Sequence, residues 1–177
     1  MKKGSLKKVV AIITVLLLLA SFSGCIETEP GKETYNTTTT TTAEKKEENF
    51  SLNETAVFST LKITATEIKE STGSMYFEPE AGNVFIGVKF TIENISEEEQ
   101  SISSLLLFDA YVDDVSCDLS ITANAAFDGD TVDGTIAAGK KLVGWYAMEV
   151  PKDWKTVELQ VKADWLSNTS AKFIFTK

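Results

Sequence analysis

The chain has 177 residues, among them 17 lysines, no arginine, 26 acidic residues and no histidine, for a net charge of −9. Without histidine there is no ordinary general base at neutral pH, no Ser-His or Cys-His nucleophile pair, and no common zinc ligand set. The acidic balance repels phosphate backbones, so a nucleic-acid partner is not expected.

The N-terminus carries Lys2, Lys3, Lys7 and Lys8, then the apolar run Val9 to Ala20, then Ser21-Phe22-Ser23-Gly24-Cys25. The run is 12 residues long, whereas a membrane-spanning helix needs about 20. A basic start, a short apolar stretch and small residues before a cysteine read as a lipoprotein signal peptide over residues 1–24. Cleavage would leave Cys25 as the new N-terminus, carrying lipid that anchors the chain on the extracellular face of the membrane. An uncleaved anchor extended through Phe22 and Ile26 is the competing reading. Loss of the four leader lysines leaves 13 basic residues against 26 acidic ones, a net charge of −13. Cys117 is then the single thiol, most simply a small buried hydrophobe, and no internal disulfide is expected.

Residues 25–54 read as a disordered stalk. The stretch Glu27 to Asn53 has no sustained apolar pattern and contains Pro30, Gly31, the threonine run Thr37 to Thr42 and the cluster Glu44-Lys45-Lys46-Glu47-Glu48. Such a segment buries too little to fold, and its reach as a coil is about 25–30 Å. Five of the seven asparagines, Asn36, Asn49, Asn53, Asn94 and Asn168, stand in Asn-x-Ser/Thr. They are candidate glycosylation sites of a secreted glycoprotein. Sequons beside a threonine stalk suit an archaeal envelope better than a bacterial one.

From Thr55 to Lys177 the pattern has period two. Val57, Leu61, Ile63 and Ala65 share one face of a first predicted strand, with Lys62 and Thr64 opposite. Val84, Ile86, Val88, Phe90 and Ile92 form the clearest buried face. Leu142 to Val150 is apolar on both faces and predicts a central strand. Val157, Leu159, Val161, Ala163 and Trp165 alternate with polar residues, and Ala171, Phe173 and Phe175 make a short last strand. Turn signals separate these runs at Ser71-Thr72-Gly73, Ala81-Gly82-Asn83, Asp113-Asp114, Asp128-Gly129-Asp130, Ala138-Gly139 and Pro151-Lys152-Asp153. Seven or eight short strands and no long helical pattern predict one all-β sandwich over residues 55–177.

Three stretches resemble a known family: Val84 to Asn94 with its polar break Ile95 to Gln100, Phe108 to Asp114, and Ala138 to Asp153. It is the immunoglobulin-like domain of unknown function found in prokaryotic lipoproteins and immunoprotective extracellular antigens. The resemblance covers residues 55–177 and implies an immunoglobulin-like antiparallel β-sandwich. The chain departs from the family at Val115, where a glycine often follows the acidic turn, and at Ala138, where a proline often precedes Gly139. The family brings no agreed catalytic or binding residues.

The candidate chemistry is sparse. Asp128, Asp130 and Asp133 in Asp128-Gly129-Asp130-Thr131-Val132-Asp133-Gly134 are a possible calcium loop, because hard cations want several oxygen ligands from one tight turn. Val132 breaks the alternation of an EF-hand and Gly139 holds its twelfth position. A solvated acidic turn explains the same residues, and any site would need Asp113, Asp114 or Asp118 as well. Ser59-Thr60-Leu61-Lys62 has the Ser-x-x-Lys spacing of penicillin-recognising enzymes. On a strand those two side chains point to opposite faces, and the match is coincidental. Trp145, Tyr146, Trp154 and Trp165 could form an aromatic platform for sugars, but aromatics on apolar faces usually pack. No catalytic residue and no required cofactor follow from these observations, and no enzyme is expected. The expected function is a cell-surface, lipid-anchored binding module for an unknown envelope protein or glycan. The alternatives are an accessory subunit of a membrane transport or envelope complex and, remotely, a carboxylate-based hydrolase.

Overall fold

The computed structural model describes residues 48–74, 76–163 and 169–177. Eleven strands are found among them: β1 (Glu48–Phe50), β2 (Thr55–Val57), β3 (Leu61–Ser71), β4 (Asn83–Asn94), β5 (Gln100–Ile102), β6 (Phe108–Val112), β7 (Val115–Cys117), β8 (Gly134–Ile136), β9 (Lys141–Pro151), β10 (Thr156–Lys162) and β11 (Ser170–Thr176). Two short helices, α1 (Ser104–Leu107) and α2 (Ile121–Asn124), interrupt them. One sheet has the order β1-β11-β10-β6-β7 and the other β2-β3-β4-β9, while β5 and β8 form a separate pair. Every pairing is antiparallel except β1 against β11. The two larger sheets stack as an immunoglobulin-like sandwich, as the alternation predicts.

The predicted faces account for the core. Val84, Ile86, Val88, Phe90 and Ile92 of β4 are all buried, as are Val157, Leu159 and Val161 of β10 and Ala171, Phe173 and Phe175 of β11. Phe90 lies edge-on to Phe108 (5.1 Å) and to Phe173 (5.5 Å), so one ring joins both sheets. At the hairpin between β6 and β7, Asp113 and Asp114 take positive φ (48° and 68°), the geometry of a tight two-residue turn. The Asp113 carboxylate also accepts from the backbone N–H of Lys155 and Thr156, at 3.0 and 2.8 Å. This fixes the opposite connection. Trp154 is buried after Pro151 and donates its indole N–H to Glu70 (3.0 Å), which also pairs with Lys177 (2.9 Å). Hydrogen bonds from these two partners hold the Glu70 carboxyl below its ordinary pKa.

Three expectations need correction. The sandwich already includes Glu48–Phe50, ahead of Thr55, because β1 pairs with β11 and Phe50 packs against Phe173 at 5.5 Å. The predicted strand from Val57 to Ala65 is a hairpin: Ala56, not Val57, faces inward opposite Ile63, and Val57 is exposed. A register shift between Ala65 and Glu67 then reverses the parity of β3, which is how Ile68 also reaches the core. β9 is the last strand of its sheet, not a central one. It is apolar on both faces for another reason. Residues 120–128 cover its outer face, where Phe85, Ala123, Phe127, Trp145 and Ala147 form a second cluster.

Candidate functional site

On the side of the sandwich where β6 and β7 approach β9, the structure opens into two adjoining cavities. The inner one, about 260 Å³, reaches Phe108, Asp109, Cys117, Asp118 and Tyr146. The outer one, about 770 Å³, lies between α1, α2 and residues 129–133 and is lined by Ile121, Asn124, Asp130, Asp133 and Leu142. Ser104, Leu105 and Leu119 line both, so the two form one cleft.

Local sequence builds its walls. Ser120 caps α2 by accepting from the backbone N–H of Ala123 (3.1 Å), and the same residue's backbone N–H donates to the Ala147 carbonyl of β9 (2.9 Å). This docks α2 on the sheet and leaves Ile121 outside, 84% exposed. Across the cleft, the Asp133 carboxylate accepts from both the backbone N–H (2.7 Å) and the hydroxyl (2.8 Å) of Ser104. That tie holds α1 in place and turns Leu105 outward, 75% exposed. Residues 129–133 are pinned by the edge of β9: Trp145 donates to the Asp130 carbonyl (2.8 Å) and Val132 donates to the Trp145 carbonyl (3.1 Å). The Trp145 indole donates to the Asp128 carbonyl (2.7 Å).

Two side chains that line the cleft each carry a polar group with no protein partner among the described residues. The Oδ1 of Asn124 accepts no hydrogen bond, although the residue is only 8% exposed. A buried acceptor left unpaired costs about 1–3 kcal/mol. The hydroxyl of Tyr146, a residue 2% exposed, is hydrogen-bonded by no described residue. Burial, reinforced by Cys117, Asp118 and Asp109 around it, raises its pKa. It therefore stands in the inner cavity as a neutral donor. Burial followed by Asp118 and Glu149 raises the Cys117 thiol as well, so it stays protonated and unreactive at neutral pH. The charged lining is acidic throughout: Asp109, Asp118, Asp130 and Asp133. Among the described residues no lysine lines either cavity. Asp109 pairs with Lys162 at 2.7 Å, outside the cleft lining.

The residues singled out in the sequence fall elsewhere or take other roles. Asp133 serves Ser104, and Asp128 and Asp130 hold Trp145 through their carbonyls rather than their carboxylates. Among the described residues, no three His, Cys, Asp or Glu side chains come together in a group able to hold a metal ion. Trp145, Tyr146 and Trp154 are all buried and offer no surface platform. Trp165 lies outside the described residues, as do Cys25, Asn36 and Asn168. Asn49 and Asn53 are exposed, so their sequons are open to a glycosyltransferase.

Asn94 is different, because it is fully buried. Its amide nitrogen donates to the carbonyls of Glu98 (2.7 Å) and Ile136 (2.9 Å), and its Oδ1 accepts from the N–H (2.9 Å) and hydroxyl (2.7 Å) of Ser96. The Asn-x-Ser spacing here is that of an Asx turn, which uses the same residue types two apart. The folded chain presents no acceptor at Asn94.

Sequence reasoning passed over Asn124, Leu105 and Ile121. Their signals were present but weak: three leucines in a row at Leu105 to Leu107 between short polar runs, and Ser120 at the start of a brief helical turn.

The family described as a domain of unknown function, DUF4352, matches residues 50–172. The chain belongs to this family. Among solved structures, this DUF4352 protein is similar to the ycdA protein of Bacillus subtilis, described as a candidate lipoprotein (TM-score 0.58, 15% identity, 69% of this chain and 38% of that one). It is also similar to an uncharacterized β-sandwich protein of Clostridium difficile (TM-score 0.51, 20% identity, 84% of this chain and 100% of that one). A third similar structure is the secreted protein MPT63 of Mycobacterium tuberculosis (TM-score 0.52, 16% identity, 74% of this chain and 98% of that one). At these identities the likeness is one of fold. The chain spans 38% of the length of the ycdA protein. No curated protein matches it.

Proposed function

We propose that this DUF4352 protein is a lipid-anchored module held outside the cell, and that it binds a partner through the cleft between α1, α2 and β9. One observation carries the binding reading. The cleft is lined by two nine-tenths-buried side chains, Asn124 and Tyr146, each with a polar atom that has no protein partner among the described residues. A ligand that supplies those bonds recovers what the free protein forgoes. The leader ending at Cys25, the threonine stalk and the exposed sequons at Asn49 and Asn53 support placement outside the membrane. So does the naming of two structural neighbours as a candidate lipoprotein and a secreted protein.

Mass spectrometry of protein taken from its native membrane tests the placement. A lipid-modified Cys25 N-terminus is expected, and an intact Met1 with an unmodified Cys25 would overturn it. Binding is tested by labelling Ile121 and Leu105 methyl groups and adding envelope extract. Shifts confined to the cleft are expected, and their absence would sink the reading. An accessory subunit would use the same surface within a larger assembly, and co-migration with a membrane complex on native gels separates that reading from free display.

A further inference from the structure

The proposal concerns the chemistry of the ligand and rests on the cleft being a binding site. We propose that the cleft receives a peptide segment of a partner protein, seating an aliphatic side chain between Leu105 and Ile121 and a lysine or arginine against Asp118 and Asp130.

Shape and apolar character come first. Leu105 and Ile121 both line the outer cavity with most of their surface in water, and Leu119 and Leu142 add to its apolar lining. Isolated exposed leucines are ordinary, but a set lining one concavity marks a contact surface. The apolar lining of the outer cavity is aliphatic. Trp145, Tyr146 and Trp154 are buried in packing, and the half-buried Tyr111 lines the inner cavity rather than the outer one. Aliphatic walls suit a leucine-like side chain better than a pyranose ring.

Charge points the same way. Of the acids along the cleft, Asp109 is paired with Lys162 and Asp133 with Ser104. The carboxylates of Asp118 and Asp130 take part in no hydrogen bond or ion pair among the described residues. A cationic side chain complements them, and the net charge of the exported chain would draw it in at long range. The same field repels phosphate headgroups and acidic polysaccharides.

The unpartnered atoms supply the third strand of the argument. Asn124 needs a donor and Tyr146 needs an acceptor. A peptide backbone carries one of each per residue. Rotation of the Asn124 side chain by half a turn exchanges its oxygen and nitrogen, so either end of the amide can meet the incoming chain.

The test uses the full mature chain, made soluble by Cys25→Ser, with three probes followed by calorimetry. These are a synthetic peptide alternating leucine with lysine, its counterpart alternating leucine with glutamate, and a neutral oligosaccharide. The lysine peptide should bind with single-site stoichiometry and weaken as salt is raised, and the glutamate peptide should not bind. Ile121→Asp and Leu105→Asp, both at exposed positions, should each weaken binding about tenfold or more. Asp118→Asn with Asp130→Asn should weaken it severalfold, while the remote Glu97→Gln should leave it unchanged. Equal loss with Glu97→Gln would reduce the effect to general charge attraction and overturn the inference. Oligosaccharide binding that Ile121→Asp abolishes would also overturn it, yet leave the cleft as the binding site. If no probe binds, the inference falls, whereas the cleft reading falls only if envelope extract also leaves the Ile121 and Leu105 methyl signals unmoved.

Discussion

The two faces of β9 are held by different means. On its inner face, Tyr146, Met148 and Val150 join a core built from strands whose own alternation announces it. On its outer face, Trp145 and Ala147 are covered by Ala123 and Phe127, from a connection with no strand pattern at all. Phe127 stacks on Trp145 at 5.1 Å, and the ring sits over Gly87 of β4. A side chain at position 87 would have its Cβ 2.8 Å from that ring, so glycine is what lets the cover descend. The inner face is a layer-on-layer core. The outer face is a lid of one aromatic pair, and its far edge becomes the wall of the cleft. A buried strand face therefore does not by itself mean a neighbouring sheet.

The contrast can be broken by mutation, beginning with the largest effect. Phe90→Ala removes the ring that joins both sheets and should cost about 3–5 kcal/mol in chemical denaturation. A loss no greater than that of an exposed substitution would deny that the inner core dominates. Asn94→Ala strands the Ile136 and Glu98 carbonyls and should cost about 2–3 kcal/mol. Peptide mapping of native protein should accordingly find no glycan on Asn94, and a substantially occupied site would contradict the buried Asx turn. Gly87→Ala should lift Phe127 and cost about 1–3 kcal/mol. Its Trp145 fluorescence should change while the Phe90 core stays folded. An unperturbed spectrum would show that the cover is not packed as described.

The smallest effect sharpens the comparison most. Tyr146→Phe deletes a hydroxyl without a protein partner, so stability at neutral pH should change by less than about 1 kcal/mol. The pH dependence should change more clearly. The phenol's pKa is raised in the folded chain, so the unfolded chain ionises first, near pH 10. Stability attached to the protonated phenol is thus complete below that pH and declines as pH rises toward the folded value. Thermal melts of Tyr146→Phe should show a shallower alkaline decline than the parent. An identical slope would place the phenol in open solvent instead.

The sandwich was legible because a half-buried strand writes its burial into every second residue. The faces of β4, β10 and β11 follow from that rule alone. Legibility failed where a single residue changes parity or direction. The hairpin at residues 58–60 turned one apparent strand into two, and the register shift after Ala65 carried Ile68 inward. The candidate site was less legible still. The motifs that attracted notice, the acidic loop and the aromatic residues, serve as fasteners: Asp133 ties down α1, and the backbone of residues 128–130 holds Trp145. Asn124 and Tyr146 carry no motif, since an unpaired atom is a property of surroundings that come from distant segments.

Alternation and turn chemistry are local quantities, so the sequence alone determined a strand-built domain. The tertiary structure decided which strand ends a sheet, which asparagine is sealed inside and where the sandwich stays open. Those outcomes depend on contacts between residues far apart in the chain, which no local period records.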